Sequence, residues 1–417
     1  MSTSRSVLMT AFHFPPCHGS SGIQRTLKFV RYLPGHGWNP LVLAAHPSAY
    51  EHRSDELLRE IPPQAVVARA RALDAGRHLA IRGRYFGFTA MPDRWVSWLP
   101  MAVIAGRRLV RQHRPAVLWS TYPIPTSLMI GERLQAATQL PWIVDLRDAM
   151  VDEDFPAPGA RREQYERLEA RVVARATRVV LTTESARLLY EERYPGLPRE
   201  HWNVIRNGFD DENFAHVSAG MQATDDGGTD RPLTLLHSGL LEPNERDPKP
   251  FIAAVARLKQ RGVLRAPQVR IVLRASGHEG LYAKYASDAG VADLVHLEPA
   301  VGHYEALREM LGANGLLLFQ GANCNHLVPA KLYEYFRSQR PILALTDERG
   351  ESAKLMRDEG MHSIVSMTEA EDIEHALEDF LRSVRMRTAR TCDPNGWQRY
   401  SRRAQAGQLA ALLDEIA

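Results

Sequence analysis

Four groups of residues have the types and spacing needed to bind an anionic, hydroxyl-rich ligand, and the most informative lies at 328–336. Pro329 begins a predicted helix there, and Lys331 and Glu334 are three residues apart, which puts them on one helix face. A lysine at such a position can contact a phosphate, and a glutamate can accept hydrogen bonds from ribose hydroxyls. The same spacing is equally typical of an exposed ion pair, so composition alone leaves both interpretations open.

A second group follows a predicted strand at 233–237. Gly239 comes directly after this strand, and the loop before the next predicted helix carries Arg246 and Lys249. Two cations on one loop would neutralise the charge of a leaving diphosphate, and an arginine does so through paired hydrogen bonds. Charges on an ordinary surface loop are the alternative interpretation.

The third group is the loop that joins the first predicted strand to the first predicted helix. It contains His13, Gly19 and Gly22, and the two glycines allow a ligand to approach the backbone closely. The start of a helix offers free N–H groups and partial positive charge to a phosphate. The loop is neither the glycine pattern of dinucleotide-binding proteins nor a P-loop, which weakens both of those assignments. A plain strand–helix connection is the alternative.

The fourth group lies at the ends of two further predicted strands in the first half of the chain. Asp145, Arg147 and Asp148 end one strand, and Tyr122 follows another. Because the carboxyl ends of parallel strands face the ligand in such sheets, these residues are candidates for the acceptor side of a cleft. An internal pair between Arg147 and an aspartate, which would only order the loop, is the alternative.

We expect neither a metal site nor a bound cofactor. Residues 152–154 read Asp-Glu-Asp and resemble a metal-binding motif by letter, but they lie in an acidic, proline-containing loop that is typical of a solvated surface. The three cysteines are too few and too scattered for a zinc site or a disulfide scaffold, which favours a reducing cytoplasm.

The elements that position these residues are short apolar runs alternating with amphipathic stretches, which predicts an α/β fold of two doubly wound parallel sheets. Predicted strands lie at 7–12, 41–45, 116–120, 142–145 and 178–182, and then at 233–237, 269–273, 294–297, 315–319 and 341–345. The predicted domains are 1–208, on the acceptor side, and 209–392, which binds the nucleotide. A linker is predicted at 216–231 and a terminal helical segment at 393–417, which we expect to pack toward the first domain.

Bulk properties exclude some partners. The 417 residues carry 52 basic and 49 acidic side chains, and a net charge of +3 does not indicate nucleic acid binding. No run approaches the ~18 apolar residues of a membrane span. Residues 77–114 are rich in arginine and aromatic residues, including Trp95 and Trp98. That composition fits either peripheral contact with the inner face of a membrane or a solvated helix over core aromatics.

The order of these groups along the chain resembles the family 4 glycosyltransferases of the GT-B type. The similarity is spread over nearly the whole chain. It includes the Phe-Pro-Pro loop at 14–16 and the stretches at 92–100, 120–125, 141–148, 206–210, 246–248 and 329–335.

This resemblance implies two Rossmann-like domains facing a cleft, and transfer of a sugar from a nucleotide-diphosphate donor to a hydroxyl of a glycan, a lipid-linked molecule or a small molecule. It implies retention of anomeric configuration, no metal ion, and a place in polysaccharide biosynthesis. Glu334 matches the glutamate that holds the ribose. Arg246, with Lys249 or Lys331, matches the cations on the diphosphate, and His13 is the candidate to contact the acceptor or the sugar.

Two departures from the family pattern keep other functions open. The family often has a second glutamate eight positions before the ribose glutamate, and His326 stands there. A family histidine near the reacting sugar is replaced by the segment that contains Tyr122. A sugar-nucleotide epimerase of the same fold and a non-catalytic nucleotide-sugar-binding protein are the alternatives. The sequence does not identify the base, the sugar, the acceptor or the oligomeric state.

Overall fold

The computed structural model describes residues 5–19, 22–80, 82, 84–152, 155–219, 232–394 and 396–417. In these residues the strands are β1 (Arg5–Thr10), β2 (Trp38–Ala45), β3 (Val66–Ala70), β4 (Val117–Thr121), β5 (Trp142–Asp145), β6 (Arg178–Leu181), β7 (Trp202–Val204), β8 (Leu233–Ser238), β9 (Val269–Arg274), β10 (Val295–Glu298), β11 (Gly315–Gln320), β12 (Ile342–Thr346) and β13 (Ile364–Val365).

The helices of the same residues are α1 (Gly22–Tyr32), α2 (Ala75–His78), α3 (Trp98–His113), α4 (Pro125–Thr138), α5 (Ala160–Arg175), α6 (Glu184–Arg193), α7 (Asp211–Ala219), α8 (Lys249–Gln260), α9 (Glu279–Asp288), α10 (His303–Gly312), α11 (Ala330–Ser338), α12 (Glu351–Asp358), α13 (Ala370–Arg385) and α14 (Arg402–Ile416). Short 3-10 turns connect several of them, among them Gly87–Ala90 and Trp397–Tyr400.

The chain forms two compact units, each built on one parallel sheet. The first unit comprises Met1–Arg206 with Arg402–Ala417, and its strand order is β3-β2-β1-β4-β5-β6-β7. The second unit comprises Asn207–Ser401, and its strand order is β10-β9-β8-β11-β12-β13. Both orders reverse direction in the middle of the sheet, as they do in doubly wound folds. The predicted α/β class is therefore confirmed.

Each sheet is apolar on both faces, which is why its strands read as continuous apolar runs. In β1, Leu8 belongs to one buried cluster, while Val7 and Met9 belong to the cluster on the opposite face. The register continues this alternation across the sheet, since Met9 pairs with Val42 on one side and Trp119 on the other. Helices cover both faces of the sheet, so its strands do not show the alternation of apolar and polar residues that a solvated face would produce.

The ten predicted strands are confirmed, and three others escaped prediction. The missed strands β3, β7 and β13 all lie at sheet edges. β13 has two residues and β7 three, and four of the five residues of β3 are only half-buried. Edge strands are covered less completely, so their sequences lack the dense apolar run on which the prediction depended.

Three boundaries differ from prediction. The predicted linker at 216–231 begins inside α7, which ends at Ala219, and 220–231 lie outside the described residues. Pro329 is the N-cap of α11 rather than its first residue, with an extended backbone at φ −64° and ψ 138°. The terminal segment is a short 3-10 turn in the second unit followed by α14 in the first.

Helix α14 packs against α1 within the first unit. Leu409 and Leu413 are buried in the same apolar cluster as Leu27 and Val30 of α1. The spacing of leucines that predicted this helix is the spacing of its buried side. Among the described residues, no helix combines the length and apolar composition that crossing a membrane requires.

Candidate functional site

The second sheet changes its winding direction between β8 and β11. These two strands are neighbours, with Gly315 opposite Leu235, and the chain continues outward from β8 to β9 and from β11 to β12. Connections that leave adjacent strands in opposite directions open a crevice at the strand ends, where doubly wound sheets bind ligands. Gly239 follows β8 and α11 follows β11, so the topology brings two separately predicted groups to one place.

Lys331 lies against the backbone that follows β8. Its Nζ atom is 3.1 Å from Nε2 of His237. A Cβ built on Gly239 would lie 2.7 Å from the same Nζ atom, so a side chain there would force the ammonium to move. The φ of +120° at Gly239 also strains any residue other than glycine. The ammonium is therefore held by contacts that join residues 94 positions apart.

His237 is fully buried and presents a lone pair to Lys331. Burial, followed by the nearby charge of Lys331, holds the pKa of His237 well below its usual range, so the ring is neutral at pH 7. Its Nδ1 atom lies 2.8 Å from the carbonyl oxygen of Leu317, which can only accept. Nε2 lies 3.1 Å from the carbonyl oxygen of Gly239 as well as from the ammonium. Because the contact with Leu317 is the shorter of the two carbonyl contacts, we assign the ring hydrogen to Nδ1, and Nε2 then accepts from the ammonium.

The surroundings of Lys331 disfavour its positive charge. Burial, and then the nearby Arg246, lower its pKa to about 7, while Glu334 acts in the opposite direction. A positive group that is both desolvated and next to another cation is stabilised by an anion placed between them. Lys331 and Arg246 thus have the electrostatic character of an anion site.

Arg246 has spare hydrogen-bonding capacity toward this cluster. Its side chain is 22% exposed and lies 3.3 Å from the carboxylate of Glu245. Within the described residues, its buried Nε atom has no hydrogen-bond partner. Leaving such a donor unsatisfied is costly, and an incoming oxygen would remove that cost.

The other predicted residues of this unit take different positions. Glu334 is half-buried on α11, close enough to Lys331 to raise its pKa. Lys249 is exposed at the start of α8, and its ammonium lies 5.5 Å over the ring of Tyr285. Lys249 therefore contacts α9, whereas Arg246 and Lys331 act on the same buried histidine.

Gly239→Ala tests the closeness of this packing. We expect the new methyl group to displace the Lys331 ammonium and to weaken binding of a diphosphate by about tenfold or more, since one charge-assisted hydrogen bond is lost. Isothermal titration with UDP measures the change. Gly290→Ala is the control, because Gly290 also has a positive φ, +69°, but open space at its Cβ position. Equal UDP affinity in wild type and Gly239→Ala would contradict the packing argument.

The first sheet has its own reversal between β1 and β4. His13 follows β1 and Tyr122 follows β4, so both lie at that reversal. His13 is half-buried, and burial, together with the charge of Arg147, lowers its pKa to about 4. His13 is therefore a neutral hydrogen-bonding group at pH 7. Tyr122 is buried, which raises its pKa well above the usual value, and its carbonyl oxygen accepts from Nε of Arg147 at 2.7 Å.

Arg147 lies directly against the first residue of α1. A Cβ on Gly22 would overlap the Arg147 guanidinium, at 2.1 Å from Nη1. The start of α1 and a guanidinium therefore carry positive charge at one point of the first unit. Two other predicted residues are close to these in sequence: Gly19 lies before Gly22 and has a φ of +83°, and Asp148 follows Arg147. Both are exposed.

Asp145 is committed to an internal ion pair. It is fully buried, and both of its oxygens accept from Arg25 of α1, at 2.7 Å from Nη2 and 2.9 Å from Nε. Arg25 also donates to the carbonyl oxygens of Ile205 and Arg206, each at 3.0 Å. The carboxylate thus fixes α1 to the sheet and is not open to a ligand in this unit.

Sequence reasoning missed two side chains that organise these clusters, His237 and Arg25. In the sequence, His237 is the last residue of a predicted strand and Arg25 lies in the first predicted helix. Neither carries a local signal, because each contact depends on strand order. Among the described residues, no group of three or more histidine, cysteine, aspartate or glutamate side chains could hold a metal ion. Glu153 and Asp154 of the acidic motif lie outside the described residues.

Residues 21–208 match the family model of the glycosyl transferase 4-like domain. The match covers a little under half of the chain and coincides with the first unit apart from its first strand and α14. No curated protein sequence matches the chain.

Solved structures extend the likeness to both units. Sucrose-phosphate synthase of Thermosynechococcus elongatus has a TM-score of 0.69 at 16% identity, with 99% of each chain covered. HepE of Anabaena, in complex with UDP and glucose, has a TM-score of 0.64 at 14% identity, over 99% of this chain and 100% of that one. UDP-GlcNAc 2-epimerase of Methanocaldococcus jannaschii has a TM-score of 0.56 at 12% identity, over 98% and 99%. These likenesses confirm the predicted GT-B fold.

Proposed function

We propose that the protein is a glycosyltransferase that moves a sugar from a nucleotide-diphosphate-sugar donor to an acceptor hydroxyl. The observation that carries this proposal is that two cations, Arg246 and Lys331, lie close enough at the reversal of the second sheet for Arg246 to lower the pKa of Lys331. Arg246 has a buried donor, Nε, without a hydrogen-bond partner among the described residues. Burial disfavours the positive charge of Lys331. A diphosphate satisfies both conditions at once.

In the proposed reaction, the two cations stabilise the charge that develops on the diphosphate as the glycosidic bond breaks. Glu334, on the same helix as Lys331, is the residue that we propose accepts from the ribose hydroxyls. The acceptor oxygen forms the new bond on the face that the leaving group vacates, which retains the anomeric configuration. The leaving phosphate takes the acceptor proton, so no protein base and no metal ion is required. His13, neutral at pH 7, is the residue that we propose for contact with the acceptor or the sugar.

The donor that we propose first is a UDP-sugar, since HepE, which shares the fold, has been solved with UDP and with UDP-glucose. The proposed acceptor is a hydroxyl of a glycan, a lipid-linked molecule or a small molecule, with the cytoplasm as the site of action. Polysaccharide biosynthesis is the proposed process.

A thermal-shift screen of UDP-, GDP-, ADP- and dTDP-sugars tests donor binding. The true donor is expected to raise the melting temperature most, because ligand binding stabilises the folded state by mass action. Products are then analysed with that donor alone and with candidate acceptors. Transfer to an acceptor supports the proposal, whereas conversion of the sugar to its epimer would identify the epimerase. Stabilisation without any product would indicate a binding protein.

Proton uptake on donor binding follows from the pKa of Lys331. In the free protein this pKa is about 7, so at pH 8 the amine is mostly neutral, and a bound diphosphate would raise its pKa again. We expect about one proton to be taken up per UDP-glucose bound at pH 8 and about 0.1 at pH 6. Affinity is expected to fall as the pH rises above 7, by up to about tenfold per pH unit.

Titration calorimetry in two buffers of different ionisation enthalpy measures this uptake. UDP-glucose is the suitable probe, because its diphosphate is a diester with no proton to lose near neutral pH. Lys331→Met is the control, and it is expected to abolish the buffer dependence at pH 8. The same heat in both buffers for the wild type at pH 8 would exclude Lys331 from direct contact with the diphosphate.

A further inference from the structure

A stacked pair of aromatic rings is exposed on the first unit. Phe86 and Phe88 lie in the loop that we call the aromatic loop, residues 84–90, and are 71% and 75% exposed. Their ring centroids are 5.7 Å apart at an interplanar angle of 25°. Tyr85 beside them is 45% exposed. Single exposed apolar residues are ordinary, but adjacent large rings that lie outside the core indicate an interaction surface.

Helix α3 adds an exposed row that is apolar at one end and basic at the other. We call this row the α3 stripe; its residues are Met101, Ile104, Arg107, Arg108 and Arg111. Met101 is 46% exposed and Ile104 63%. Spacings of three and four residues put Met101, Ile104, Arg108 and Arg111 on one helix face. The opposite side of α3 packs into the core through Ala102, Gly106 and Leu109.

The aromatic loop and the α3 stripe are connected through α2 and the segment that precedes it. A Cβ built on Gly76 of α2 would lie 3.9 Å from the Tyr85 ring. Just before α2, the backbone of Leu73 exchanges two hydrogen bonds with the hydroxyl of Ser97, at 2.8 and 2.9 Å. Ser97 is the residue before α3. The two parts therefore belong to one connected region of the first unit.

This region is strongly positive. From Ala75 to Arg114 the chain has eight arginines and one acidic residue, Asp93. Asp93 is buried, and its carboxylate accepts from the backbone and hydroxyl of Thr126, both at 2.7 Å. Arg94 pairs with Asp74 and Glu51. In the part of the chain that the structure describes, Arg82, Arg84, Arg107, Arg108 and Arg111 form no ion pair and are exposed.

The tryptophans of this segment pack against the core and are not among its exposed aromatic residues. Trp98 is fully buried, and Trp95 packs on Phe12 at a centroid distance of 4.6 Å. Of the two interpretations of this segment, core aromatics beneath a solvated helix face is the one that describes the tryptophans. The exposed aromatic residues are the phenylalanines and Tyr85.

We propose that the aromatic loop and the α3 stripe dock the protein on an anionic lipid bilayer. Aromatic side chains enter the boundary between headgroups and acyl chains, and arginines beside them contact anionic headgroups. A second copy of the chain fits less well, since a symmetric contact would bring the same unpaired arginines together. The proposal goes beyond sugar transfer and does not depend on it.

Vesicle sedimentation tests the docking surface. The wild-type protein is expected to bind vesicles of phosphatidylcholine in which phosphatidylglycerol replaces part of the lipid, and to bind phosphatidylcholine alone far more weakly. Salt is expected to reduce the binding. We expect Phe86→Ser with Phe88→Ser to weaken binding by about tenfold or more, and Arg107→Gln with Arg108→Gln by about twentyfold.

Matched controls come from exposed residues elsewhere. Met386 is 66% exposed at the end of α13, and Arg385 and Arg390 are exposed beside it. Met386→Ser, and Arg385→Gln with Arg390→Gln, are expected to bind vesicles like the wild type. The thermal shift with the donor, unchanged in every variant, shows that the fold is intact.

Failure of the wild type to bind anionic vesicles at low salt would overturn the proposal. Equal weakening by the control variants would overturn it as well. Self-association in sedimentation velocity without lipid, abolished by Phe86→Ser with Phe88→Ser, would instead make the surface a contact between copies. None of these outcomes affects the proposed donor site, which lies in the second unit.

Discussion

Arg246→Ala is expected to lower the rate of sugar transfer about a hundredfold, equivalent to two to three kcal/mol of transition-state stabilisation. The reason is that the charge on the diphosphate grows as the bond to the sugar breaks, and the guanidinium meets that charge with paired hydrogen bonds. Steady-state kinetics with the donor found by thermal shift measure the loss. The loss is expected mainly in kcat, because the interaction strengthens in the transition state.

Two comparisons make this experiment specific. Lys249→Ala removes a cation at the start of α8, three residues after Arg246, but its ammonium lies over Tyr285, so we expect activity within about twofold of the wild type. Lys331→Met removes the second proposed cation and is expected to act as strongly as Arg246→Ala. Unchanged turnover in Arg246→Ala would remove Arg246 from the mechanism. A large loss of activity in Lys249→Ala would show that the positive charge of this region acts without a specific contact to the diphosphate.

Arg25→Met is expected to destabilise the first unit by about 3–5 kcal/mol. Arg25 and Asp145 are both fully buried, and the substitution leaves a carboxylate without its cation and two carbonyl oxygens without their donor. Urea unfolding followed by tryptophan fluorescence measures the change. Six of the seven tryptophans belong to the first unit, Trp397 being the exception, so the signal reports mainly on that unit.

The control for Arg25 is an exposed pair in the same unit. Arg167 and Glu163 are an i,i+4 pair on α5, with side chains 72% and 62% exposed. Arg167→Met is expected to change the free energy of unfolding by less than about 0.5 kcal/mol. The double variant Arg25→Met with Asp145→Leu is expected to regain part of the lost stability, because no unpaired charge remains. If Arg25→Met had the same free energy of unfolding as the wild type, the prediction would be wrong, and water would have to solvate the Asp145 carboxylate in place of Arg25.

The sequence predicts the interior of both sheets well because burial on two faces requires dense apolar runs, as in β1 and β11. It fails at the edge strands β3, β7 and β13, where one side of each strand has no neighbour. The same physical difference explains the misplaced linker: α7 shows little of the helical periodicity on which the prediction relied, although Phe214 and Val217 are buried.

The candidate site follows a similar division. Gly239, Arg246 and Lys331 could be named from their places at strand ends and helix starts. The partner that holds Lys331 could not, because the contact with His237 requires β8 to lie beside β11. At Asp145, a carboxylate at the end of a strand resembles a ligand contact. The structure pairs this carboxylate with Arg25 of α1, and that pairing leaves no local trace in the sequence.

The most direct test is a crystal structure with UDP, or with whichever of ADP, GDP or dTDP stabilises the protein most. We expect diphosphate oxygens about 3 Å from the Arg246 guanidinium and from the Lys331 ammonium, at the ends of β8 and β11. A diphosphate bound elsewhere, or held by a metal ion while Arg246 and Lys331 point away from it, would contradict the account.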